Sequence, residues 1–218
     1  MESTRWPGVY REGRDLYTVN LTPGSRVYGE KLRTVDGVEY RAWDPFRSKL
    51  AALLARGISV DLPPEPPAVL YLGGAHGTTV SHLSDLLPRT AIFVVEKSPT
   101  AFAPLLALAR RRPNLLPMLA DAQLPERYQA DVGEASLLYQ DIAQRRQVAI
   151  FVDNAQACLA RGGIGILMLK IRSVTQRRSA EAIAREARAE LTRSGFAIHS
   201  ETPLVPFSRE HVAFVLTR

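Results

Sequence analysis

The chain has a single cysteine, Cys158, so no disulfide can form within it and its fold must be held by packing. That cysteine lies in an apolar helical pattern and is read as a core side chain. No apolar run approaches the roughly 20 residues of a membrane span. The start, MESTRWPGVYREGRD, is too polar for a signal peptide. A reducing cytoplasm is the expected setting, with no membrane partner and no bound metal. Internal repeats and low-complexity tracts are absent. Lysine is scarce, with only Lys31, Lys49, Lys97 and Lys170 beside 24 arginines. Arginine stays protonated, whereas a lysine can give up its proton, so each lysine kept in such a sequence invites attention. The 218 residues suit one large domain, or one with a smaller appendage. Hydrophobic content of 46% and charge of 23% are ordinary for a globular protein. The net charge of +6 favours an anionic partner such as nucleic acid.

Punctuation by glycine and proline divides the chain. From residue 1 to about 44, short apolar alternations (LYTVNL, SRVYGEKL, VEYRAW) lie between turn residues, and Asp36-Gly37 marks a hairpin. SKLAALLARGI has helical spacing and a stop at Gly57. The proline-rich DLPPEPP, Asp61–Pro67, is a linker. The expected division is therefore a small β-rich region over 1–60 and a larger domain over 61–218. In the second part, strand-length runs (AVLYL, AIFVV, LLPML, ASLLYQ, GILMLK) alternate with helical stretches. In QVAIFVDNAQACLA, residues Val148, Phe151, Val152, Ala155 and Leu159 share one helical face, so AIFV is read as helix. SAEAIAREARAELTRSG is a helix capped by Gly195, and FAIHSETPL and HVAFVLTR form a closing hairpin. Such alternation predicts an α/β fold with a mainly parallel sheet.

In such a sheet, ligands sit at the carboxyl ends of the strands. Three ends carry telling residues. Gly73-Gly74-Ala75-His76-Gly77 leads into Thr78 and Thr79 at a helix start, where a backbone cradles a nucleotide-like ligand. Glu96 closes AIFVVE, the position for an acid that accepts bonds from ribose hydroxyls. Asp121 follows LLPML, with Ala122 beside it, suited to flank an adenine edge. Together they point to an adenosine-bearing cofactor. The glycine spacing is shorter than G-x-G-x-x-G, and no second pyrophosphate loop follows. That favours S-adenosylmethionine, whose cationic sulfonium needs no phosphate cradle, over NAD.

The segments RVYGEKL, YRAWDPFRSKLAA, VLYLGGAHGTTVSHLSD, VVEKSP, NLLPMLADAQLPERY, YQDIAQRRQ, LKIRSVT and PFSREHVAFV follow one another in order. On these the sequence resembles fibrillarin, specifically the archaeal fibrillarin-like RNA 2′-O-methyltransferases. The resemblance implies a class I (Rossmann-like) methyltransferase domain with a mainly parallel seven-stranded sheet, plus a small β-rich N-terminal domain. It implies guided 2′-O-methylation of ribose in pre-rRNA and tRNA within a box C/D ribonucleoprotein. The partners would be guide RNA, target RNA, a Nop-domain scaffold protein and a kink-turn-binding protein of ribosomal type. Cofactor contacts would fall on Gly73, Gly77, Thr78, Thr79, Glu96 and Lys97, then on Asp121, Ala122 and the run Asp141, Ile142, Ala143, Gln144. Related ribose methyltransferases use a lysine–aspartate–lysine set and one further polar residue, which match Lys49, Asp141, Lys170 and His211. Lys170 would act as base on the 2′ hydroxyl, with Asp141 orienting it, Lys49 orienting the hydroxyl and His211 in support. Arg145, Arg146, Arg172, Arg177 and Arg178 lie on loops at the expected rim, where they would meet phosphate. Arg110, Arg111 and Arg112 close a helix, where cations favour the dipole in any case. Two other readings stand beside this one: a stand-alone methyltransferase acting on RNA or protein glutamine, and a non-catalytic scaffold.

Overall fold

The computed structural model describes residues 1–58, 60, 65–174 and 178–218. The N-terminal part is an antiparallel sheet of β1 (Glu2–Ser3), β2 (Val9–Glu12), β3 (Asp15–Val19), β4 (Leu32–Val35) and β5 (Val38–Trp43), in the order β1-β2-β3-β5-β4. Asp36 and Gly37 join β4 to β5 with φ of 50° and 78°. Two positive φ values in a two-residue loop match the twist of the flanking strands, as the Asp-Gly pair predicts. The SRVYGEKL alternation departs from expectation, because pairing begins only at Leu32. Ahead of it, the Glu30 carboxylate accepts from the backbone N–H of Val27 (3.0 Å) and Tyr28 (2.8 Å), and this local bonding replaces a strand ladder.

Helix α1 (Lys49–Ala55) starts at Ser48, whose Oγ accepts from Ala51 N–H. The proline-rich linker that follows lies outside the described residues at 61–64. The larger part then runs through β6 (Ala68–Leu72), α2 (Thr78–Leu86), β7 (Ala91–Glu96), α3 (Pro99–Ala109), β8 (Leu115–Leu119), α4 (Gln129–Val132) and β9 (Ala135–Gln140). It continues through α5 (Gln147–Cys158), β10 (Leu159–Lys170), α6 (Ile171–Val174), α7 (Ala180–Arg193), β11 (Ala197–Pro203) and β12 (His211–Thr217). The sheet order is β11-β12-β10-β9-β6-β7-β8, parallel except for β12, which runs antiparallel to both neighbours. All five residues of β6 are buried, as a central parallel strand covered on both faces requires. AIFV lies inside α5, as its periodicity predicts. That helix stops at Cys158 rather than Ala160, because Leu159 is drawn into the sheet beside Ala135. Cys158 is buried, and burial pushes its thiol pKa up to about 11. No helix among the described residues is long and apolar enough to cross a membrane.

One apolar layer places α5 and α7 against the sheet. The other joins α1, α2 and α3 to Trp6, Val9, Leu16 and Trp43 of the N-terminal sheet. A buried polar network pins this second layer. The Arg41 guanidinium reaches Glu30 (2.9 Å) and Asp85 (3.4 Å), and Arg112 donates to Asp85 at 2.6 Å; the Arg41, Asp85 and Arg112 side chains are all 0% exposed. Arg112 is thus no surface cation at a helix end, as its place in the arginine triplet suggests; only Arg110 and Arg111 are exposed. His82 lies flat on Trp43, ring centroids 4.8 Å apart. Its Nε2 faces the Arg41 guanidinium at 3.3 Å, an obligate donor, so the ring proton sits on Nδ1 and goes to Thr18 Oγ1 at 2.8 Å. Thr18 in turn donates to Asp85 Oδ2 at 2.8 Å. Burial, then the charges of Arg41 and Arg112, hold the His82 pKa well below its usual value.

Candidate active site

The glycine turn after β6 and the segment after β9 lie against each other. Gly73 has φ of +90°, and a Cβ there would sit 2.3 Å from the Asp141 carbonyl oxygen, so only glycine fits. Asp141 N–H closes the contact onto Leu72 O at 3.0 Å. Gly77 (φ +86°) precedes the first turn of α2. From β7, Glu96 holds the turn: its carboxylate accepts from Ala75 N–H (2.9 Å) and Ser98 N–H (2.8 Å).

A groove of about 190 Å³ opens here. Gly73, Glu96, Lys97 and Ala122 form part of its wall, and the Asp141–Gln144 run forms another. Ala75 of the glycine turn lines it too, and Val95 and Ala120, which carry no motif signal, complete it. Asp121 stands beside the groove with its carboxylate 3.8 Å from Lys97 Nζ. Burial raises its pKa, but bonds from Gln123 N–H and the Gln144 side chain, with the Lys97 charge, outweigh that and leave it below the usual value. Gly77, Thr78 and Thr79 are not on the wall. Thr79 is buried, and its hydroxyl donates to Ser48 Oγ at 3.0 Å, tying the glycine turn to the cap of α1. The donor set suits a neutral ribose and a cationic centre. A carboxylate already takes the Ala75 amide that a phosphate would use, and wall residues are small. These residues therefore fit S-adenosylmethionine better than a dinucleotide.

On the far side of Asp141, the remaining candidates converge. Lys49, first residue of α1, donates from Nζ to Asp141 Oδ2 at 2.7 Å, with the two side chains 29% and 18% exposed. Strands β9 and β10 are parallel neighbours with Gln140 opposite Leu167, so Asp141 and Lys170 emerge at the same end. Lys170 is paired in register with His211 across β12. Gln147, at the start of α5, clamps the Lys170 backbone: its Oε1 accepts from Lys170 N–H (2.8 Å) and its Nε2 donates to Lys170 O (3.0 Å). Burial raises the Asp141 pKa, with Lys49 and then Lys170 pulling the other way. One expectation shifts: the direct partner of Asp141 is Lys49, not Lys170, whose Nζ has no hydrogen bond among the described residues.

His211 is bonded through Nδ1 to Ser208 Oγ at 2.7 Å, while its buried Nε2 has no hydrogen-bond partner among the described residues. Burial, then the charges of Lys49 and Lys170, lower its pKa from 6.5 to about 3. Neutral His211 therefore contributes stability above about pH 6.5 that is lost as pH falls toward 3. His82 acts in the same direction. The melting temperature is expected to fall from pH 7 to pH 4, and to fall less steeply in His211→Asn. An identical slope in both proteins contradicts a buried neutral imidazole.

The arginines expected at the rim divide. Arg145 and Arg146 are exposed at the start of α5. Arg172 is paired with Glu210 at 3.1 Å, and Arg178 with Glu186 at 2.7 Å, so acids already occupy both. Arg177 lies outside the described residues.

A doubly wound sheet with an antiparallel β12 and a glycine-turn groove at its carboxyl edge defines the protein as a class I methyltransferase fold. Within that class, the fibrillarin family profile matches residues 1–218, and the chain belongs to the fibrillarin family. It is 39% identical over 211 residues to the fibrillarin-like rRNA/tRNA 2′-O-methyltransferase of Methanothermobacter thermautotrophicus, covering 97% of this chain and 94% of that protein. Among solved structures, fibrillarin of Aeropyrum pernix with natively bound S-adenosyl-L-methionine is 40% identical, with a TM-score of 0.84 over 93% of this chain and 89% of that one. A fibrillarin/Nop5p complex is 37% identical, with a TM-score of 0.87 over 97% and 98%.

Proposed function

We propose that this protein transfers a methyl group from S-adenosylmethionine to the 2′ oxygen of ribose in pre-rRNA and tRNA. It does so as the catalytic subunit of a box C/D ribonucleoprotein in the cytoplasm of an archaeal cell. The observation that carries this is the Lys49–Asp141 contact at 2.7 Å, beside Lys170 and against the groove. On this reading residues 1–60 form a rim beside a methyltransferase domain of residues 61–218. The bound cofactor would supply an electrophilic methyl on sulfur. Glu96 and Asp121 would hold its ribose and adenine, and the Asp141–Gln144 run would line the remainder. Lys170 accepts the proton of the 2′ hydroxyl as that oxygen attacks the methyl carbon; the carbon–sulfur electron pair returns to sulfur. Lys49, fixed by Asp141, orients the hydroxyl. His211, neutral, supplies an acceptor beside Lys170.

Guide RNA supplies sequence selection, and a Nop-domain scaffold with a kink-turn-binding protein holds the enzyme on it. Support for the scaffold comes from the relative solved with Nop5p. Labelled cofactor, offered with and without guide RNA and scaffold, tests the reading. Methylation at one guided nucleotide only in the assembled particle is expected. Equal labelling of unguided RNA contradicts it, and labelling of protein in place of RNA supports the other substrate class.

A further inference from the structure

Phe46 is 69% exposed, the most exposed large apolar side chain among the described residues. Phe207 lies against it edge to face, centroids 5.2 Å apart, and Val205 beside it is 48% exposed. Folding gains little from presenting such a corner to water. Nor is it slack. Asp44 Oδ1 accepts from Phe46 N–H at 2.8 Å, and the Asp44 carbonyl accepts from Ser48 N–H at 3.0 Å, which fixes the turn that holds Phe46 out. Arg47 lies over the Tyr28 ring, 5.8 Å from its centroid, and donates to Tyr28 O at 3.0 Å.

This corner borders a cleft of about 860 Å³, larger than the cofactor groove. The exposed charged side chains on its wall are Arg11, Arg14, Lys31 and Arg47 against Asp15 and Asp44, the latter 4.0 Å from Arg47, while Glu30 is buried on Arg41. Both aromatic residues adjoin the reacting set. Phe46 is three residues before Lys49, and Phe207 precedes Ser208, which bonds His211.

We propose that Phe46 and Phe207 dock the target RNA strand, their rings against the ribose and base of the nucleotide beside the target, with the four cations following its phosphates. Aromatic faces interleaved with cations are the pattern that binds nucleic-acid strands without reading sequence. The inference rests on the proposed RNA methylation. It places the RNA path on the Lys49 side of the site.

The test uses the full chain assembled with guide RNA, scaffold protein and a target carrying 5-iodouridine next to the methylated nucleotide. Irradiation is expected to cross-link the peptide containing Phe46 or Phe207. Phe46→Ala is expected to raise KM for target RNA about tenfold, with a much smaller change in kcat, and Phe46→Trp to restore it. The cofactor-induced rise in melting temperature should be the same in all three proteins. Cross-links confined to the segments of Arg145 or Arg172, with KM unchanged in Phe46→Ala, overturn the inference while leaving RNA methylation intact. Loss of scaffold binding by Phe46→Ala without RNA also overturns it, assigning the corner to the protein partner. If the unmodified protein methylates no guided RNA, the underlying function fails and the docking surface with it.

Discussion

Replacing Lys170 by alanine is expected to lower kcat for guided methyl transfer by about a hundredfold or more, the contribution of a positioned proton acceptor. Cofactor affinity should change little, because Lys170 is not on the groove wall. The backbone at residue 170 is held by both ends of the Gln147 amide, so truncating the side chain leaves the strand end in place. Lys170→Arg separates two roles. Arginine keeps the charge that acts on Asp141 and His211 but does not give up its proton to become a base. Lys170→Arg is therefore expected to be as inactive as Lys170→Ala, measured as single-turnover rate with labelled cofactor. A Lys170→Arg enzyme retaining more than roughly a tenth of the rate would assign Lys170 an electrostatic role instead.

The second large effect concerns stability. Four buried charges balance at the joint between the two sheets: Arg41 and Arg112 against Glu30 and Asp85, with His82 neutral. Arg112→Ala leaves an uncompensated carboxylate there, a loss of about 3–5 kcal/mol. For a chain of this length, that corresponds to about 6–20 °C in melting temperature. Arg112 also donates to Ser81 O (3.0 Å) and Ser84 Oγ (3.2 Å), so those acceptors lose a partner as well. Arg112→Met with Asp85→Asn removes one charge of each sign and restores the balance. The double variant should accordingly lose less than the sum of its two single changes in urea unfolding. Additive losses would mean that the Arg112–Asp85 contact, despite its 2.6 Å length, couples the two residues weakly.

These residues show what a sequence can and cannot disclose. The apolar run of β6, the Asp36-Gly37 turn, the helical face of α5 and the closing β11–β12 hairpin are local signals, and the structure reproduces them. The glycine turn and Glu96 are local as well, each at a strand end. Arg112 resembles its neighbours Arg110 and Arg111 in every local respect, and its burial comes from contacts to α2 and to Asn20 and Thr22, distant in sequence. Lys49 and Asp141 meet across 92 residues, which neither helical spacing nor strand alternation encodes. Thr79, expected at the cofactor, donates its hydroxyl to Ser48 and so connects the glycine turn to the helix carrying Lys49, a bond across 31 residues that no local pattern encodes. Gln147 could have been noticed as a buried polar residue opening an apolar helix, but its two bonds to Lys170 depend on the packing of α5 against β10. Nothing in the local pattern marks Phe46, and only its 69% exposure sets it apart.

The central claim is that Lys49, Asp141 and Lys170 gather beside the groove to methylate a ribose hydroxyl. Two target RNAs that differ only at the guided nucleotide, one with ribose and one with 2′-deoxyribose, test it most directly. With labelled S-adenosylmethionine and the assembled particle, label is expected at that position in the first RNA and none in the second. Equal incorporation into both would mean that the methyl goes to a base or to protein, and would contradict the account.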